Sequence, residues 1–149
     1  MERLPFMLLV VVAGAIFPVQ ALINARLGQS VGGPIWAAFF SFLVGTIVLL
    51  VIAWAVSGPP RLSDVAALPP WVWAGGFIGA LLVYAMAFTA PVLGAGVLLA
   101  LIIGAQLVGS LTLDRFGILQ PVRPIGPWQI LGAIMLMLAV AMIVFGPRR

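Results

Sequence analysis

The sequence predicts an all-α fold, a polytopic transmembrane bundle of five helices. Of its 149 residues 64% are hydrophobic and 7% are charged, whereas a soluble domain carries about a quarter charged residues. The apolar residues also fall into five runs, each near the roughly 20 residues that cross a hydrocarbon core. The breaks between the runs are too short to hold a soluble domain, so residues 1–149 read as a single membrane domain.

Each span follows from its own pattern. The first, 5–25, has Arg3 before it and Gln20 and Asn24 near its end. No small-residue cleavage site follows, so it reads as a retained helix and not a signal peptide. Arg26 is expected to close it. The break 26–33 contains Gly28, Gly32 and Gly33, and Pro34 opens the second span, 34–56, at a position that tolerates proline. The break 57–70 holds Pro59, Pro60, Pro69 and Pro70. Trp71 and Trp73 then begin the third span, 71–90, as an interfacial aromatic belt would. Only Pro91 and Gly94 separate it from the fourth span, 92–113, which predicts a tight hairpin of antiparallel helices. The break 114–126 precedes the fifth span, 127–145.

Composition excludes several functions. The chain has no His and no Cys and only three acidic residues, so it can build neither a catalytic triad nor a zinc motif. We expect no enzyme activity, no metal and no cofactor. The net charge of +4 comes from seven arginines spread along the chain. Isolated arginines at helix ends anchor and orient membrane proteins, and no nucleic-acid partner is expected. With five spans, Arg3, Arg61, Arg115 and Arg123 fall on one side and Arg26, Arg148 and Arg149 on the other. Four against three gives the positive-inside rule almost nothing to act on. Two readings stay open: a weakly set orientation, or dual topology with copies pairing as an antiparallel homodimer.

Polar side chains inside spans are costly in hydrocarbon and mark candidate sites. Gln20 and Asn24 are four apart, on one helical face, and Pro18 interrupts the hydrogen bonding of the same helix. Gln106, Ser110 and Asp114 repeat at four-residue spacing along the fourth span, with Gly104 and Gly109 between and beside them. These residues either line a polar pocket, where amides both donate and accept, or hold helices together at about 0.6 kcal/mol each. Asp114 beside Arg115 also fits a surface ion pair. Ser41 and Gly45, Gly75 and Gly79 with Gly76, and Gly109 follow the small-residue pattern of close helix packing. Tyr84 and Thr89 carry only weak signals of a cavity. No span has a carboxylate, His or Lys near its centre, so a proton-coupled mechanism is not expected.

The run Pro18-Val-Gln20-Ala-Leu-Ile-Asn24-Ala-Arg26-Leu-Gly28 resembles the first-helix signature of the YdcZ-like family, a five-helix branch of the drug/metabolite transporter superfamily. The stretches Ser41-Phe-Leu-Val-Gly45-Thr, Trp73-Ala-Gly75-Gly76-Phe-Ile-Gly79-Ala and Gly104-Ala-Gln106-Leu-Val-Gly-Ser110-Leu-Thr-Leu-Asp114-Arg-Phe-Gly117 are similar to it as well. The resemblance implies a small multi-pass transporter of the bacterial inner membrane. It also implies association with membrane lipid and with a second copy of the chain, and Gln20, Asn24, Gln106, Ser110 and Asp114 as substrate-binding positions. The related four-helix multidrug transporters exchange protons at a first-helix glutamate. Here that helix has only amides, so proton-coupled cation export is not implied. The expected function is movement of a small polar or drug-like solute by alternating access in an antiparallel dimer. The alternatives are a non-transporting scaffold or accessory subunit and, with no filter-like loop to support it, a channel.

Overall fold

The computed structural model describes residues 3–147, and among these it is helical without strands. The helices are α1 (Leu4–Val31), α2 (Pro34–Ser57), α3 (Leu62–Ala66), α4 (Ala74–Leu93), α5 (Ala95–Phe116) and α6 (Pro127–Phe145). All except α3 lie in segments long and apolar enough to cross a membrane. A single 3-10 turn, Pro70–Trp73, leads into α4. The chain divides after Pro91 into two compact units.

The first unit is built on the α1–α2 pair, whose backbones pack together. Arg26 does not close α1, which runs a further turn and a half to Val31. The physical stop is Gly32, at φ 89°, a left-handed conformation that a glycine adopts without steric cost. Gly33 follows at φ 127°, and Pro34 starts α2. The Gly33 N–H donates to the Gly28 carbonyl at 2.8 Å, which folds the chain back on itself. A Cβ on Gly28 would lie 3.3 Å from the Gly33 carbonyl carbon and 3.4 Å from Pro34 Cα. Gly28 is therefore part of the helix contact and not of a loop.

Pro91 does not end α4 either. It is accommodated in the last turn, and the break comes at Gly94, at φ 76°. The break 57–70 is not wholly irregular, since it contains α3 with Asp64 in its first turn.

The second unit is the α5–α6 pair. Gly104 is buried against α6: a Cβ there would lie 3.2 Å from Val140 Cγ2 and 3.3 Å from Met137 Sδ. α5 ends at Gly117, at φ 65°. The Gly126 N–H donates to Gln129 Oε1 at 2.6 Å as α6 begins with Pro127.

The buried positions are mostly small: Ala21, Gly28, Ala37, Ala38, Ala87, Ala90 and Gly104. Large side chains such as Leu9, Val10, Leu49 and Met142 face outward. This inversion of the soluble pattern is what lipid demands. Hydrocarbon solvates Leu as well as a core does, so helices associate through small residues that let backbones approach.

Candidate functional site

Asn24 is the one buried polar side chain among the described residues, at 4% exposure. It sits on the α1 face that meets α2, between Ala21 and Gly28, which are also buried. That placement follows from the small residues one turn on either side. They bring α2 close, and the amide is enclosed between the two helices. It forms no hydrogen bond with any described residue. It lines a cavity of about 500 Å³ with Ile23, Leu27 and Val31 of α1 and Phe40, Ser41 and Val44 of α2. No charged side chain lines this cavity. The Ser41 hydroxyl also forms no hydrogen bond with any described residue, so two groups able to donate and accept face an otherwise apolar space.

Gln20 lies one turn before Asn24 on the same α1 face, and its side chain is exposed. In the second unit Gln106 is exposed. The other two polar positions of α5 are occupied locally. The Ser110 hydroxyl donates to the Leu107 carbonyl at 2.9 Å. The Asp114 carboxylate accepts from the Gln120 side-chain amide, and the Arg123 N–H donates to the Asp114 carbonyl at 3.0 Å. Asp114 thus organises the turn after α5. Gln120, four residues beyond the helix, is the partner that pattern reading along the helix did not find.

The glycine stripes divide. Gly79 looks toward α2, where a Cβ would lie 3.6 Å from Phe42 Cζ. Gly45, Gly75, Gly76 and Gly109 have open space above them within the chain.

An open groove, of about 540 Å³, lies between α2 and α4. Its walls include Phe39, Phe42 and Thr46 of α2 and Phe77, Ala80 and Tyr84 of α4. Of these, Tyr84 alone carries a signal of a cavity in the sequence. The aromatic signal was present in Phe39, Phe42 and Phe77, but in a membrane helix such residues are indistinguishable from lipid-facing ones until the partner helix is known.

The family model described as "Putative inner membrane exporter, YdcZ" matches residues 5–142. No curated protein and no solved structure matches the chain. Five apolar helices and a match spanning nearly the whole sequence agree, and the chain is a multi-pass inner-membrane protein belonging to the YdcZ family.

Proposed function

We propose that this chain exports a small uncharged or zwitterionic polar solute by alternating access in an antiparallel homodimer, all five spans acting as one membrane domain. The observation that carries this reading is Asn24, a residue only 4% exposed whose amide has no hydrogen bond to a described residue and stays open to the cavity it lines. Its amide atoms are not sealed off among the described residues. A solute entering the cavity can therefore hydrogen-bond to them, with a net gain of about 0.5–1.5 kcal/mol for each bond.

In this reading Gln20 and Asn24 contact the solute on the first unit and Gln106 contacts it on the second. Amides suit the task because each donates and accepts without bringing a charge into hydrocarbon. Ser110 and Asp114, already engaged within α5 and its following turn, shape the path and make no direct contact. The dimer has two supports. The arginine balance of four against three favours neither orientation. Gly45, Gly75, Gly76 and Gly109 leave room for another backbone. Two oppositely inserted copies make an inverted repeat, the geometry in which inward-open and outward-open states are equivalent.

The test is solute flux. A panel of neutral polar solutes is screened by thermal shift on the purified protein, and the best binder is loaded into proteoliposomes. Flux is expected with or without a pH gradient, to be unaffected by Asp114→Asn, and to fall at least tenfold in Asn24→Leu with dimer content preserved. Flux that needs a proton gradient and vanishes in Asp114→Asn overturns the coupling. Normal flux in Asn24→Leu removes the site. A single orientation of C-terminal reporters in the unmodified protein overturns the antiparallel pair.

A further inference from the structure

We propose that the α2–α4 cleft is a separate binding site for a flat, uncharged aromatic molecule carrying a hydroxyl or carbonyl group. The cleft and the Asn24 cavity use opposite faces of α2: Phe39, Phe42 and Thr46 on one, Phe40, Ser41 and Val44 on the other. One molecule in a single chain therefore does not occupy both. The volume of about 540 Å³ lies within the roughly 300–1,000 Å³ typical of small-molecule sites.

The chemistry of the walls names the occupant. Four aromatic rings, Phe39, Phe42, Phe77 and Tyr84, come from two facing helices and stand beside the aliphatic Ile35, Leu43 and Leu81, with Phe39 and Phe77 more than half exposed and free to stack. Rings stack on rings at an advantage beyond simple burial, whereas an acyl chain gains nothing from them over Leu or Val. Tyr84 is already oriented, stacked on Phe88 at a centroid distance of 6.1 Å and an interplanar angle of 18°. Its hydroxyl forms no hydrogen bond with any described residue. Thr46 stands out in the same way. The hydroxyls of Thr89 and Thr112 return to their own helices, at Ala85 and Val108, but that of Thr46 does not. Two hydroxyls free to bond, in a cleft lined by rings, fit a ligand with an aromatic body and one polar substituent. No carboxylate lines the cleft, so a cation would enter without a counter-ion, and a charge buried unpaired is strongly disfavoured.

The experiment uses the full chain in lipid nanodiscs, with 1-naphthol as probe and empty nanodiscs subtracted for partitioning. Saturable binding is expected. It should weaken about tenfold or more in the Phe42→Leu/Phe77→Leu double variant and about threefold to tenfold in Tyr84→Phe, the loss of one hydrogen bond. Asn24→Leu should bind 1-naphthol as the wild type does, which separates this site from the transport reading above. Each variant is checked for an unchanged melting temperature. (1-Naphthylmethyl)trimethylammonium should bind more weakly than 1-naphthol, and 1-decanol should not compete. Tighter binding of the cation overturns the uncharged ligand. Competition by 1-decanol with no effect of the Phe→Leu changes makes the cleft an acyl-chain groove and overturns the aromatic one. Binding that never saturates above the nanodisc background overturns the site.

Discussion

The α1–α2 and α5–α6 pairs approach through the same means and differ in what they enclose. Gly28 lets α1 touch the start of α2, and Gly104 lets α5 touch Val140 and Met137. The first pair turns within two residues, Gly32 and Gly33. The second is joined by ten, from Gly117 to Gly126. At the long connection the polar groups satisfy one another: Gln120 bonds Asp114, Ser110 bonds its own helix, and Gln129 caps Gly126. On the short one's helices the Asn24 amide has no hydrogen bond to a described residue and stays open to a cavity. A satisfied polar group makes structure, and an enclosed one that lacks a partner is available to a ligand.

The comparison can be broken in order of expected effect. Gly28→Leu places a side chain against backbone that cannot yield. It is expected to destabilise the protein by about 2–3 kcal/mol, read as a lowered melting temperature in detergent. A wild-type melt would mean that the α1–α2 corner is not as tight as described. Gly117→Ala comes next, at about 1–2 kcal/mol, because φ 65° disfavours any Cβ and the added carbon meets Val122. Gly117→Asn should cost less than Gly117→Ala, since asparagine tolerates the left-handed region. The reverse order would show that contact with Val122, and not backbone conformation, sets the cost.

Gly104→Ala is milder, below about 1 kcal/mol. Its neighbours Val140 and Met137 are side chains able to shift, and alanine favours the helix over glycine by a similar amount. Melting of this variant beside Gly28→Leu measures how much softer the second pair is. Ser110→Ala is the smallest, within about 0.5 kcal/mol. Its hydroxyl only reinforces its own helix, and flux should be unchanged. A large loss of flux in Ser110→Ala would make Ser110 a direct contact of the solute.

The five spans were legible because lipid leaves so few alternatives. A backbone in hydrocarbon must satisfy itself, and a run of about twenty apolar residues does so only as a helix. The fifth span, 127–145, coincides with α6 at both ends, since Gly126 with Pro127 and Gly146 mark it chemically. Ends set by tertiary contact were harder. Arg26 resembles a helix terminus, yet the helix continues because Gly28 is packed against α2. Asn24 and Gln20 carry the same amide and sit on the same face, and spacing alone does not separate them. Only the position of α2 encloses one and exposes the other. The aromatic cleft was hidden for the same reason, since residues 39, 42, 77 and 84 acquire a common meaning only when α2 and α4 face each other.

The length of α1 has a consequence for depth. At 1.5 Å per residue, Asn24 stands about 10 Å along the helix from its end at Val31, and Gln20 about 16 Å. With α1 centred in a hydrocarbon core about 30 Å thick, Gln20 would stand about 4 Å and Asn24 about 10 Å from the mid-plane. In the proposed antiparallel pair the two Gln20 side chains would flank the mid-plane, with an Asn24 above and an Asn24 below. A solute crossing that pair would meet amides at successive depths, two central and two shallow. Its passage would then take the form of short exchanges between hydrogen-bonding stations, with no long stretch of bare hydrocarbon to cross.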